Sequence, residues 1–219
     1  TAETMISAAT AAVANVNDLP TGTVTITGTN QQGQVLTASN SLADEDGMGT
    51  VTYLWSTGAT TESITLAQSD VGSTITVTAS YTDLQLTAET MTSAATTAVA
   101  NVNDSPTGAV TITGTAVEDG VLTASNSLAD EDGMGAVTYT WSNGATGDTI
   151  TLAQSDVGTT ITVTASYEDA QGTDETMTSA ATAAVDNVND SPTGAVTITG
   201  TATEDQVLTA SNSLADEDG

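Results

Sequence analysis

The chain has 219 residues, 28 of them Asp or Glu, and no Lys, Arg, His, Cys or Phe, so its formal net charge is −28 with no opposing side chain. That inventory excludes an imidazole base, a Schiff-base lysine, a Ser–His pair, a disulfide and a lysine isopeptide crosslink. It also excludes a basic clamp for nucleic acid or for an anionic membrane face.

What the chain has in quantity is carboxylate, amide, hydroxyl and main-chain carbonyl, the ligands of hard cations and of Ca²⁺ foremost. Hydrophobic residues make up 38% and aromatics 3%, so any core is small and built from Val, Ile, Leu and Ala. No apolar run approaches the ~18 residues of a membrane helix, and no basic leader opens the chain. The sequence begins in mid-pattern and reads as a piece of something longer.

In chain order, an Ala-rich segment containing Met5 leads to the string NVND, Asn15–Asp18. Five stretches of period-two alternation then read as half-buried strands: Thr23–Thr27, Val35–Ser39, Val51–Trp55, Ser63–Leu66 and Ile75–Tyr81. A sixth, Met91–Val99, is richer in Ala. Turn clusters separate them, among them DEDGMG, STGATTES, QSDVGS and YTDLQLT. Trp55 falls on the same side of its strand as Val51 and Tyr53, which assigns it to the core.

The pattern then repeats. NVND recurs at Asn101–Asp104 and Asn187–Asp190, and SLADEDG at Ser41–Gly47, Ser127–Gly133 and Ser213–Gly219, each time after 86 residues. The copies diverge in short stretches such as Asn30–Gln34 against Ala116–Gly120. A period of 86 exceeds that of solenoid repeats, so each copy can be a domain. Cutting at NVND gives 1–18 as the last strand and linker of a preceding repeat, 19–104 and 105–190 as complete repeats, and 191–219 as the first two strands of another. Cutting near DEDG would instead assemble each domain from halves of neighbouring repeats.

Short strands at this spacing without a helix predict an all-β fold of antiparallel sandwiches. The Trp late in the third strand and the Asp70-Val71-Gly72 turn before the fifth resemble an immunoglobulin-like Greek-key β-sandwich. The cysteines of that fold are absent, and Thr74 stands where its corner Tyr would be. The strings VTITGTAVEDGVLTASNSLADEDGMGAVTYTW, LAQSDVGTTITVTASY and NVNDSPTG resemble the tandem extender repeats of giant bacterial RTX-type adhesins. NVND, with the Pro that follows, resembles a cadherin linker with Asn in place of the first Asp.

This resemblance implies an extracellular, calcium-binding spacer at a bacterial cell surface, exported by type I secretion. Such a spacer projects distal adhesive domains for surface attachment or biofilm formation. Its partners would be neighbouring repeats and Ca²⁺, with no nucleic acid, no direct membrane contact and a monomeric rod.

If the strands run alternately down and up, NVND, the DEDG loop and the loop after the fifth strand share one pole, and the Asp70 turn lies at the other. The candidate metal ligands are then Asn15, Asn17, Asp18, Asp44, Glu45, Asp46, Asp70, Asp83 and Glu89 in the first copy. In the second they are Asn101, Asn103, Asp104, Asp130, Glu131, Asp132, Asp156, Asp169 and Glu175. In the third they are Asn187, Asn189, Asp190, Asp216 and Asp218. Carboxylates gathered so closely repel unless a cation intervenes.

No enzyme is expected, because paired acids without an aromatic platform, copied in tandem, do not make a glycosidase. The alternative to a spacer is a module that binds a ligand or a neighbouring cell directly through its loops or sheet faces, with the divergent turns Asn30–Gln34 and Ala116–Gly120 the first place to look.

Overall fold

A computed structural model describes residues 1–218. The chain is all-β, built of small antiparallel sheets in tandem. It divides into two compact units, Thr1–Val102 and the residues from Asn103 onward.

In the first unit, β1 (Val24–Gly28), β2 (Val35–Asn40) and β4 (Ser63–Thr65) form one sheet in the order β1-β2-β4. A second sheet has β3 (Thr52–Trp55), β5 (Val77–Thr82) and β6 (Ala88–Thr92) in the order β3-β5-β6. Alternation gives each sheet one apolar face. Val24, Leu36, Ala38 and Ile64 come from one sheet and Trp55, Val77, Ala79 and Tyr81 from the other, and all meet in a single core.

Trp55 is 1% exposed, and its indole N–H donates to the Thr61 carbonyl at 2.8 Å. The outward positions carry hydroxyls that bond across strands, as Thr25 does with Ser39 at 2.7 Å and Thr78 with Thr92 at 2.8 Å. Thr suits such a surface because it is β-branched and polar.

The second unit has β7 (Val110–Thr113), β8 (Val121–Asn126) and β10 (Thr149–Thr151) in one sheet, and β9 (Thr138–Trp141), β11 (Val163–Glu168) and β12 (Asp174–Thr178) in another. Leu122, Trp141, Leu152, Ile161 and Val163 fill its core. Beyond it, β13 (Val196–Thr199) pairs with β14 (Thr209–Asn212), and the side chains of both are exposed.

Two expectations need correction. The sixth strand lies earlier than Met91–Val99. It ends at Thr92 because the pairing with β5 then slips by one residue. Ser93 N–H reaches the Val77 carbonyl at 2.9 Å and Thr96 N–H the Ile75 carbonyl at 3.0 Å, so three steps of one chain oppose two of the other. The hydroxyls of Ser93 and Thr96 accept the Val77 and Ile75 N–H groups at 3.1 and 2.9 Å, which replaces ladder bonds with side-chain bonds.

The strand expected within residues 1–18 is not formed. That stretch is exposed throughout, Met5 included, and makes no strand pairing.

Gly22 illustrates how closely the backbone packs at the entry to β1. Its φ is +95°, and a Cβ there would lie 2.2 Å from the Ser41 carbonyl oxygen. Leu122 is completely buried, so Leu122→Ala is expected to cost about 2–5 kcal/mol, read as a lowered urea midpoint with an unchanged slope.

Candidate functional site

The acidic pole of each unit is assembled from loop geometry. In the DEDG turn, Asp46 N–H donates to Asp44 Oδ1 at 2.9 Å, the local bond that makes Asp a turn residue. The other carboxylate oxygen, Oδ2, accepts the Tyr81 hydroxyl at 2.5 Å. The incoming linker is tied on by Asp18 N–H, 2.8 Å from Asp46 Oδ2, and by Asn17 Nδ2, which donates to Glu89 Oε1 at 2.8 Å.

The second unit repeats each contact. Asp132 N–H donates to Asp130 Oδ1 at 2.9 Å and the Tyr167 hydroxyl to Asp130 Oδ2 at 2.5 Å. Asp104 N–H donates to Asp132 Oδ2 at 2.7 Å and Asn103 Nδ2 to Glu175 Oε1 at 2.7 Å. Near the end of the chain, Asp190 N–H reaches Asp218 Oδ2 at 2.9 Å and Asp218 N–H reaches Asp216 Oδ1 at 3.1 Å.

Asp83 and Asp169 sit in the loop after β5 and β11 and are 3% and 5% exposed. Oδ1 of Asp83 takes the N–H groups of Gln85 and Thr87 at 2.8 and 2.7 Å, and Oδ1 of Asp169 takes those of Gln171 and Thr173, both at 2.8 Å. Oδ2 of both residues is buried with no hydrogen-bond partner. A buried carboxylate oxygen left so is costly.

Thr173 N–H first, with help from Gln171 and Gly172, holds the Asp169 carboxyl below the usual carboxylate range against the opposing effect of its burial. Its folded value therefore lies below the unfolded one. This group stabilises the fold above about pH 4, and the contribution fades as pH falls through the folded value.

Burial pushes the Tyr81 and Tyr167 phenols above their ordinary range. The bonds to Asp44 and Asp130 come next, then the charges of Glu89 and Asp83, or of Glu175 and Asp169.

A second acidic group lies in the second unit. Carboxylate oxygens of Glu118, Asp190 and Glu217 all fall within 4.8 Å of one another, close enough to hold one cation. Glu118 is 4% exposed and accepts Val188 N–H at Oε2, 3.1 Å away. With its amide nitrogen turned inward, Gln154 donates to the same Oε2 at 2.8 Å and to Asn187 Oδ1 at 3.1 Å. The ligand atoms of this group are all carboxylate oxygens, which suit a hard cation and not a soft one.

The structure thus joins Asn17 to Glu89 and Asp18 to Asp46, with Tyr81 bonded to Asp44 and in the field of Glu89 and Asp83, and it does the same with Asn103 and Glu175, Asp104 and Asp132, and Tyr167 with Asp130, Glu175 and Asp169. Asp70 and Asp156 are not part of either group. Each ends a short 3₁₀ turn, Gln68–Asp70 or Gln154–Asp156, and accepts the N–H of Ala67 or Ala153 at 2.9 or 3.0 Å, so its carboxylate folds back on its own turn. Asn143 also binds Asp156.

Asn15, Glu45 and Glu131 are exposed, and Asn189 donates to the neighbouring Asp190 carbonyl at 2.9 Å. Asn101 keeps a buried Oδ1 without a partner. Sequence reasoning missed Glu217 and Glu118. Glu217 stands one and two periods after Glu131 and Glu45, so the repeat alone would have found it. Glu118 has Gln32 as its counterpart in the previous copy and gives no such signal.

No protein-family profile matches the chain, and no curated protein does. Among solved structures, it is similar to the crystal structure of a tetra-tandem repeat in the extending region of a large adhesion protein. The two are 17% identical with a TM-score of 0.31. The match covers 91% of this chain and 64% of that one, so the chain spans less than two thirds of the other's length. Among the described residues, no helix is long and apolar enough to cross a membrane.

Tyr167→Phe is expected to leave Asp130 Oδ2 without its hydroxyl donor and to cost about 1.5–3 kcal/mol, seen as a lower denaturation midpoint. In the unsubstituted chain, the raised phenol values mean that stability is intact below pH ~10 and lost as pH rises toward the folded values. Absorbance at about 295 nm should show Tyr81 and Tyr167 ionising only together with unfolding.

Proposed function

We propose that the chain is a non-catalytic structural spacer of a large bacterial cell-surface adhesin. In this reading it consists of tandem immunoglobulin-like Greek-key sandwiches of 86 residues, with 19–104 and 105–190 as the complete repeats. Ca²⁺ bound where linkers meet the acidic poles stiffens the chain, which then projects distal adhesive domains outside the cell. The RTX-type, type I-secreted setting rests on the sequence resemblance.

The observation that carries the cation reading is the buried, unpartnered Oδ2 of Asp83 and of Asp169. It recurs at the same place in both units, in a chain with no cationic side chain to answer it. The residues that would hold Ca²⁺ there are Asp83, Asp46, Glu89 and Asn17 in the first unit, and Asp169, Asp132, Glu175 and Asn103 in the second. Glu118, Asp190 and Glu217 would hold another. The ion supplies positive charge that cancels carboxylate repulsion, and ligands drawn from both linker and loop tie the two together. Because such an ion binds the folded state only, it raises stability with concentration.

Small-angle scattering and thermal melts of the chain in EDTA and then in millimolar Ca²⁺ test this. The expected result is a larger maximum dimension and a melting point several degrees higher with Ca²⁺. An unchanged dimension together with an unchanged melting point would overturn the proposal. Asp169→Asn should remove much of the Ca²⁺-induced rise and also lower the melt in EDTA modestly, because the ionised carboxylate accepts the Gln171 and Thr173 N–H groups more strongly than an amide oxygen does.

A further inference from the structure

Asn143 is the only asparagine of the sequence that is followed by glycine. It lies in the turn 141–144 that leaves β9, and both Asn143 and Gly144 are exposed. Gly144 N–H donates to the Trp141 carbonyl at 2.9 Å and Ala145 N–H to Asn143 Oδ1 at 3.2 Å. The side-chain amide reaches across to the turn Gln154–Asp156, where Nδ2 donates to Asp156 Oδ1 at 3.2 Å and Oδ2 at 3.3 Å. In the first unit Thr57 stands at this place, in a turn closed by the same bond, Gly58 N–H to the Trp55 carbonyl at 2.9 Å. Thr57 has no amide to offer. Asp156 is 7% exposed, whereas its counterpart Asp70 is half-buried.

An Asn-Gly pair can react with itself. The Gly144 nitrogen attacks Asn143 Cγ, the new Cγ–N bond closes a five-membered imide, and the Cγ–Nδ2 bond breaks with loss of ammonia. Water then opens the ring, at Cγ to leave aspartate or at the main-chain carbonyl to leave isoaspartate. The balance is one amide and one water converted to a carboxylate and ammonium, with no redox step. Glycine permits the attack because nothing crowds its nitrogen, and even a Cβ at Gly144 would meet no atom within 4 Å. The folded turn holds the reaction back, since the Gly144 nitrogen and the Asn143 amide are both engaged. It proceeds from the locally opened turn.

The product fails where this chain has no remedy. A carboxylate accepts hydrogen bonds and donates none, so both bonds to Asp156 are lost and a second negative charge faces a buried one. With no Lys, Arg or His in the sequence, no side chain answers the added charge. Taking the partner from a buried charge leaves it uncompensated. We propose that Asn143 is a spontaneous deamidation site whose conversion releases the turn Gln154–Asp156 from the turn that follows Trp141. The second unit thereby carries a one-way mark of age that the first, with Thr57, lacks.

The whole chain aged with EDTA in mildly alkaline buffer at body temperature tests this, with chymotryptic peptide mapping and amide hydrogen exchange as readouts. Conversion is expected at least about tenfold faster at Asn143 than at Asn126, which precedes Ser. In converted chains, separated by anion exchange, amide exchange at residues 153–157 should rise at least about tenfold, and that at residues 67–71 by less than about twofold. Asn143→Asp should reproduce the rise without ageing. Asn143→Thr removes the reacting amide, so its exchange at 153–157 should not change with age. Circular dichroism checks that each variant keeps its fold.

Conversion at Asn143 no faster than at Asn126 overturns the proposal. So do converted chains that keep the exchange of fresh chains at 153–157, and these decide the matter if Asn143→Asp does not fold.

Discussion

A chain with 28 carboxylates and no cationic side chain cannot form an internal ion pair, so each acid that folding withdraws from water must find a neutral donor or an external ion. Much of the local architecture answers that constraint. Asp44 and Asp130 are met by a backbone N–H and a tyrosine hydroxyl, Asp46 and Asp132 by the N–H of the incoming linker, and Asp70 and Asp156 by their own turns. Backbone and side-chain donors serve here where other proteins use Lys and Arg. The donors run out at Asp83 and Asp169, where one oxygen of each stays buried and unanswered.

The sheets carry little of this load. Their outward positions are lined with Thr and Ser hydroxyls paired across strands, and their inward positions fill two small aliphatic cores, each around one Trp. The charge is concentrated in loops and linkers. That division of labour suits a module whose properties are set at its ends. The divergent turns, first candidates for a ligand-binding patch, hold the outgoing linker through Gln32 and Glu118.

Much of the fold was legible because alternation is a property of the chain itself. In Val35-Leu36-Thr37-Ala38 and Val77-Thr78-Ala79, every second residue faces the core, as period two requires. The DEDG turn was legible for the same local reason, since Asp prefers to bond its own backbone two residues on. The end of β6 was not, because the one-residue slip beside β5 depends on which hydroxyls happen to reach Ile75 and Val77 across the gap.

For the candidate site, the sequence by itself determined the absence of counter-charge, the repetition of NVND and DEDG, and the period-two strands that bring both motifs to one pole. Each of these is composition or local pattern. Only the tertiary structure decided which acids remain unanswered. Whether Asp83 is satisfied, whether Asp70 turns inward, and whether Glu118 meets Asp190 and Glu217 all depend on contacts between residues far apart in the chain, and a list of acidic positions holds no record of those distances. The net charge of −28 leaves no cationic side chain to answer a buried acid, and among the described residues the fold leaves the Oδ2 atoms of Asp83 and Asp169 as the buried carboxylate oxygens without a partner.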